Sequence, residues 1–353
     1  MHFEKPASYL LKRNKSVLIW LIIGAVLVAS MVVIGGITRL TNSGLSMVEW
    51  KLIMGSVPPL SEQEWQTTFE KYQQFPEYQK INSSYTLDDF KAIFWWEYSH
   101  RLLGRLIGVI FLIPFIIFWL KGYFDKRWLW RLSFLFFLGG FQGFLGWFMV
   151  KSGLVDNPDV SHYRLAAHLI AALLLFSYIM WLIMDMVNQA KSEIKIQAYS
   201  KSLWTIYILS LVQIVYGALV AGLNAGVFYP TYPRMNGEWI PSLINEQLAT
   251  TGWVTLVNDV TTVQFIHRWL GTAIFFLVLV LYYTYLPSLL RQNKRRLQVL
   301  LGIVGLQALL GILTLLLSVP FVLAVSHQLT ALILLGVLII NLHGSRSGQL
   351  EPV

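Results

Sequence analysis

Long apolar runs separated by short polar segments run through the whole chain. A helix needs roughly 20 apolar residues to cross a bilayer. Runs of about that length lie at roughly 17–38, 98–120, 130–150, 163–186, 203–222, 264–286, 297–317 and 321–342. The pattern therefore predicts an all-α, polytopic membrane protein with eight transmembrane helices.

Several short blocks occur twice, in the same order. Spans 2 and 6 open with nearly the same residues, His100–Gly104 and His267–Gly271. The ends of spans 1 and 5 share Gly, Asn and Gly in register, at 35–44 and 217–226, and spans 3 and 7 match at 140–146 and 305–311. This order predicts two tandem four-helix bundles, 1–200 and 201–353, related by a pseudo-two-fold axis along the membrane normal.

Charge indicates the orientation of these helices. More than half of the Lys and Arg residues lie in the two tails and in the connections near 121–131, 187–201 and 287–296. The positive-inside rule therefore predicts that both termini are cytoplasmic. Anionic lipids of that leaflet account for the net charge of +9, so no nucleic-acid partner is expected. The residues before the first span lack the pattern of a cleaved or organellar targeting peptide, which favours a bacterial inner membrane.

Two long connections lie on the predicted external side. The first, about 39–97, mixes acids, prolines and tryptophans such as Trp65, and the other, about 223–263, contains Trp239 and Trp253. Short amphipathic pieces that lie on the membrane are expected in the first connection. Both connections are expected to cap the outer end of the bundle, although tryptophans also occur in ordinary interfacial belts.

Four of the seven histidines lie near the external ends of the even-numbered spans, as His100, His168, His267 and His327. Each is followed four residues later by Gly or Ala, so a flat group is expected to approach the helix beside it. Imidazole suits haem iron, zinc or copper, but zinc normally takes three or four protein ligands, and the chain has no cysteine. Two axial imidazoles per four-helix half fit one haem in each half.

The two halves differ beside these histidines. Glu97 stands three residues before His100, whereas Gln264 stands at the matching place before His267. A carboxylate on the same helical face as His100 indicates that the first site reacts and the second transfers or stores electrons. The alternative is an interfacial Glu–Arg pair. Candidate partners for haem propionates are the nearby arginines, which could instead anchor the chain at lipid headgroups: Arg39, Arg101, Arg105, Arg164 and Arg268.

At these residues the chain resembles the haem A synthase family. The resemblance runs over nearly the whole chain and rests on Thr38–Ser46, Glu97–Arg101, His168, His267–Arg268 and Ser326–Gln328. It implies oxidation of the C8 methyl group of haem O to a formyl group by successive hydroxylations, for assembly of cytochrome oxidase. It implies that His100 and His168 hold the substrate haem, that His267 and His327 ligate a resident haem b, and that Glu97 is the essential glutamate.

The resemblance has limits that matter for mechanism. Some bacterial members carry an external cysteine pair, and this cysteine-free chain looks closer to the class that includes the mitochondrial enzymes. Expected partners are haem O synthase and oxidase assembly factors; the electron acceptor, a quinone or a soluble cytochrome, and homo-oligomer formation stay open. Two other functions remain: a dihaem cytochrome b that only transfers electrons, and a transporter, which the duplication alone would favour.

Overall fold

The computed structural model describes residues 7–48, 57–153, 158–187 and 197–345. Within these ranges the chain forms twelve α-helices and no β-strand apart from one isolated bridge between Met235 and Glu238. The helices are α1 (Ala7–Leu40), α2 (Glu62–Tyr72), α3 (Pro76–Lys80), α4 (Leu87–Leu120), α5 (Lys126–Lys151), α6 (His162–Val187), α7 (Gln197–Gly222), α8 (Ser242–Thr251), α9 (Thr255–Asn258), α10 (Val260–Tyr285), α11 (Arg291–Leu316) and α12 (Phe321–Ser345).

Eight of these helices are long and apolar enough to cross a membrane, counted over the described parts of the chain: α1, α4, α5, α6, α7, α10, α11 and α12. Many of their large apolar side chains are exposed, such as Phe137 on α5 and Val280 on α10. Lipid is the solvent that such a surface needs. The predicted all-α fold with eight spans is confirmed, whereas the pseudo-two-fold relation stays a prediction.

Helix α4 begins well before the apolar run that predicted it. Thr86 caps its first turn, because the Thr86 hydroxyl accepts a hydrogen bond from the Asp89 amide while the Asp89 carboxylate accepts one from the Thr86 amide. This reciprocal capping box fixes the helix start at Leu87. His100 therefore lies more than three turns inside α4 rather than at its opening.

The described residues fall into two compact units, the first comprising 1–160 with 174–189 and the second 161–173 with 190–353. In the first unit α4 packs against α1 and α5. In the second unit α10 packs against α7 and α11, and α12 packs against the same two helices. The predicted division at residue 200 stays a prediction, and most of the connection expected at 187–201 lies outside the described residues.

The first connection, predicted to be external, folds onto the protein itself. Trp65, Phe69 and Tyr72 on α2 are buried against Phe90 and Phe94 at the start of α4. We define this aromatic cluster, with α2 and α3, as the external layer. The apolar face of α2 thus packs on the first turns of α4. Short pieces that lie on the membrane were expected in this segment, and its packing on α4 was not predicted.

Matched residues of the two predicted halves share a local conformation after their first helices. Asn42 follows α1 and Asn224 follows α7, and both adopt the left-handed conformation, with φ of 49° and 52°. Asparagine tolerates this conformation better than most residues, and it ends a helix sharply. The backbone thus turns in the same way at both places in the repeated sequence blocks.

Candidate functional site

Two of the four predicted ligand histidines, His267 on α10 and His327 on α12, belong to the second unit. The Nδ1 atom of His267 lies 3.2 Å from the backbone carbonyl of Gln213. A carbonyl can only accept, so Nδ1 carries the proton and Nε2 keeps its lone pair for a metal.

His327 has a different neighbour. The side-chain amide of Gln307 lies 3.3 Å from Nε2 of His327. An amide N–H and an iron cannot both use the same lone pair, so ligation through Nε2 requires the Gln307 side chain to turn aside. Gln307 was within a matched sequence block, but its proximity to a histidine could not be predicted from the sequence.

Glycines of neighbouring helices face three of the imidazoles. A methyl group added to Gly217 would lie 3.1 Å from Cε1 of His267, and one added to Gly311 would lie 2.8 Å from Cε1 of His327. In the first unit a methyl on Gly35 would lie 3.1 Å from Nε2 of His100. Each ring therefore rests against bare backbone, a contact that the sequence blocks contained but did not predict.

Two of the small residues one turn after the histidines lie beside side chains of adjacent helices. A methyl on Gly104 would lie 3.2 Å from Cε of Met31, and one on Gly271 would lie 2.9 Å from Nε2 of Gln213. The space beside these two glycines is taken by a side chain of the adjacent helix. At Gly104 and Gly271 the expectation that a planar group approaches the helix therefore stays a prediction, and it would require these flexible side chains to move.

Glu97 is buried, with 2% of its surface exposed, and its carboxylate receives several hydrogen bonds. The hydroxyl of Ser46 and the amide of Met47 donate to Oε2 at 2.7 Å and 2.6 Å. The guanidinium of Arg101 donates to Oε1 at 2.5 Å. The Glu–Arg pair named as an alternative thus exists, but it is buried. Its hydrogen bonds with Ser46 and Met47 join the segment after α1 to α4.

Gln264, at the matching place in the second unit, is as buried as Glu97 but differs from it in hydrogen bonding. It is 2% exposed, and neither its amide nitrogen nor its amide oxygen has a hydrogen-bond partner among the described residues. A buried amide without partners is costly. The neighbourhood of His267 therefore offers a donor and an acceptor to a bound polar group or to water.

The predicted arginines contact the protein itself at several places. Arg101 donates to the Met47 carbonyl at 2.8 Å, and Arg39 donates to Oδ1 of Asn42 at 3.0 Å. Arg268 donates to the carbonyls of Thr231, at 2.6 Å, and Tyr229. Arg105 lies on α4 and Arg164 on α6. Contacts of all five with propionates stay predictions.

His168 lies in the second compact unit, whereas His100 lies in the first. Their pairing as ligands of one haem therefore stays a prediction. Across the described ranges, no group of three or more His, Asp or Glu side chains could hold a metal ion.

The residues present fit a haem in the second unit. The available donors are imidazoles, the lone pair of His267 Nε2 is oriented by the bond from Nδ1, and glycine backbones face both rings. The unpartnered amide of Gln264 lies one turn before His267 on the same helical face. These observations support two axial imidazoles with a polar group beside them.

Comparisons with known proteins agree with this site. Residues 18–339 match the family COX15-CtaA, described as cytochrome oxidase assembly protein. The heme A synthase of Flavobacterium psychrophilum is 46% identical over 340 residues, covering 94% of this chain and 99% of that protein. Those of Flavobacterium johnsoniae and Bradyrhizobium diazoefficiens are 43% and 44% identical, each over 94% of this chain and over 98% and 93% of their own lengths.

Proposed function

Since this chain belongs to the COX15-CtaA family of cytochrome oxidase assembly proteins, we propose that it is a haem A synthase. Its reaction oxidises the C8 methyl group of haem O to a formyl group through successive hydroxylations. The observation that carries the proposal is the similarity to heme A synthases along 94% of the chain. The buried imidazoles supply the matching chemistry.

The second unit holds the cofactor in this proposal. His267 and His327 bind a resident haem b, whose iron supplies one-electron redox chemistry when it is bound. Gln213 orients the ring of His267, and Gly217 and Gly311 leave the rings room beside the backbone. Gln264 offers its unpartnered amide to a polar group of the ligand.

The first site takes the substrate haem O, with His100 and His168 as its ligands. Oxidation of a methyl group releases protons, and a carboxylate is a suitable acceptor. Glu97 fills this role: it lies one turn before His100, and Ser46, Met47 and Arg101 hold its carboxylate in place.

The cellular setting follows from the charge pattern and the relatives. The eight spans make this a multi-pass membrane protein. The proposed location is a bacterial inner membrane, with both termini cytoplasmic and the haem sites toward the outer side. Haem O synthase would supply the substrate, and oxidase assembly factors would take the product. A quinone or a soluble cytochrome would accept electrons, and homo-oligomers are compatible with this scheme.

The experiment that tests the proposal is acid-acetone extraction of haem from the purified protein. Haem B together with haem O, a hydroxylated intermediate or haem A is expected. Haem B alone would indicate a dihaem cytochrome b that only transfers electrons, and no haem would indicate a transporter.

Two variants test the cofactor site separately. His267→Ala and His327→Ala are each expected to abolish the low-spin haem b absorbance while the protein still inserts, because each variant would remove one of the two imidazoles proposed to hold the haem. Absorbance spectra of membranes and immunoblots of the inserted protein give the two measurements. A full haem b spectrum in both variants would overturn the assignment of the second unit.

A further inference from the structure

Gln213 and His267 are joined by two hydrogen bonds that run in opposite directions between α7 and α10. The side-chain amide of Gln213 donates to the His267 carbonyl at 2.9 Å. The imidazole Nδ1 of His267 faces the Gln213 carbonyl at 3.2 Å. Each residue thus contacts the backbone of the other with its side chain, and we call this pair the Gln213–His267 clasp.

Two glycines make the clasp possible. The Gln213 amide reaches the His267 carbonyl across Gly271, where a methyl group would lie 2.9 Å from the amide nitrogen. Gly217, one turn after Gln213 on α7, faces Cε1 of the ring. The imidazole is therefore held at Nδ1 by a hydrogen bond and at its edge by bare backbone. Rotation of the imidazole would break the hydrogen bond at Nδ1 or press the ring against the backbone of α7.

The first unit has the same glycines but a different residue at the place of Gln213. Gly35 faces His100 as Gly217 faces His267, and the residue one turn earlier on α1 is Met31. The Met31 methyl group lies beside Gly104 as the Gln213 amide lies beside Gly271. A thioether has no N–H to donate. The side-chain half of the clasp therefore cannot form at Met31.

We propose that Gln213 is a positioning residue that fixes the His267 imidazole for permanent haem binding, and that Met31 leaves the first site able to release its haem. This inference rests on the proposed function, in which the second site keeps a cofactor and the first exchanges substrate for product. The Gln213 side chain acts on the ring through the backbone of α10, because its amide donates to the His267 carbonyl, and a neutral hydrogen bond of this kind typically changes an equilibrium constant by about 2- to 10-fold. The site that keeps its haem has the side-chain bond, and the site that exchanges its haem has Met31, which cannot form it.

The test exchanges the two residues in the full-length protein. Gln213→Met keeps the backbone carbonyl that accepts from Nδ1 and removes the side-chain bond, so it is expected to speed the transfer of haem b to a haem-scavenging apoprotein by roughly 2- to 10-fold. It should also change the low-spin electron paramagnetic resonance signal, which reports the orientation of axial imidazoles. Met31→Gln is expected to raise, several-fold, the haem O that remains bound to the protein after purification.

Val212→Met is the matched control. Val212 adjoins Gln213 on α7 and is 40% exposed, so the same side chain is introduced at a neighbouring exposed position. Its haem transfer rate and resonance signal should equal those of the wild type. An unchanged rate and signal in Gln213→Met would overturn the proposal. If that variant does not insert, unchanged haem O retention in Met31→Gln overturns it instead.

His267→Ala separates this inference from the proposed function. If His267→Ala retains haem b, the ligand assignment itself is wrong. If His267→Ala is empty and Gln213→Met keeps haem b at the wild-type rate, only the positioning role of Gln213 is wrong.

Discussion

At the scale of single residues, the two units differ most at the matched positions Glu97 and Gln264. Both side chains are buried to the same degree. The Glu97 carboxylate accepts hydrogen bonds from Ser46, Met47 and Arg101, whereas the Gln264 amide has no partner within the described part of the chain. The hydrogen-bond acceptors of Glu97 are thus paired with protein groups, whereas Gln264 leaves a buried donor and a buried acceptor for a ligand.

Replacement of Glu97 tests whether its charge is needed. Glu97→Gln keeps the size of the side chain and an oxygen that can accept from Ser46 and Met47, but an amide does not accept a proton at ordinary pH. Haem A production is expected to fall by about 10²- to 10⁴-fold, the usual effect of a general base. Extraction should show haem O or a partly oxidised haem, and haem b should remain.

Glu97→Ala is the harsher variant. It leaves the buried guanidinium of Arg101 without its carboxylate, and breaking a buried ion pair typically costs about 3–5 kcal/mol. Reduced protein levels are therefore expected together with loss of haem A, so haem A is measured per amount of inserted protein. Haem A production near the wild-type rate in both variants would reduce Glu97 to a structural residue.

A second buried carboxyl lies in the external layer. Glu77 on α3 is 6% exposed, and the hydroxyl of Tyr72 donates to it at 3.0 Å. Burial is the main cause that raises the pKa of Glu77 to about 8; the Tyr72 bond opposes this rise, and the nearby charges of Glu97 and Asp159 contribute to it. Between pH values of about 4.5 and about 8, the folded layer thus keeps a proton on Glu77 that the unfolded chain has lost.

The stability of the external layer should consequently fall as the pH rises from about 4.5 to about 8. Each unit of raised pKa corresponds to about 1.4 kcal/mol. Glu77→Gln stays neutral, so it should remove this pH dependence and protect the layer at pH 9. Hydrogen exchange of α2 and α3, referenced to intrinsic rates at each pH, measures the effect. Glu70→Gln, at an exposed position of α2, should keep the wild-type profile.

At the scale of helices, the close approach of one helix backbone to a histidine ring sets the shape of each site. Gly311 on α11 permits the contact with His327 on α12, because a methyl group there would lie 2.8 Å from the ring. Gly302 on the same helix has no atom within 4 Å of such a methyl group. The two positions form a matched pair for substitution.

Gly311→Ala should displace the His327 ring and strongly reduce bound haem b. Gly302→Ala should leave haem b unchanged and stabilise α11 slightly, by roughly 0.5–1 kcal/mol, because alanine favours a helix. The haem-to-protein ratio after purification and the thermal unfolding midpoint provide the measurements. Equal haem contents in the two variants would show that the contact has no role in haem binding.

The first unit offers the same comparison on α1. Gly35 faces His100, whereas Gly24 has open space beside it. Under the proposed function, Gly35→Ala should lower haem A production and keep haem b, while Gly24→Ala should do neither.

At the scale of the whole molecule, the distribution of basic residues is expected to decide the orientation of all eight spans. Reporter fusions after residues near 125, 195 and 293 should be cytoplasmic, and those near 75 and 245 external, because Lys and Arg concentrate beside the first three positions. An external reporter near 293 would place the ligand histidines toward the cytoplasm and contradict the proposed orientation.

Features that depend on nearby residues could be predicted from the sequence. Apolar runs of membrane length predicted the eight spans, and the repeated blocks identified the four histidines and the Glu97/Gln264 difference before any contact was known. Hydropathy, helical spacing and internal repetition are local or periodic properties, so each can be observed along the chain without knowledge of its folding.

The partners of these residues were decided by the tertiary structure. Gln213 and His267 are 54 residues apart, and Ser46 and Glu97 are 51 residues apart. Their hydrogen bonds depend on which faces of two helices meet and at what height, which packing determines. The same holds for Gly311 beside His327. The sequence by itself thus determined which residue types lie in each span, and helix packing decided which of them touch, because a contact is a property of two surfaces.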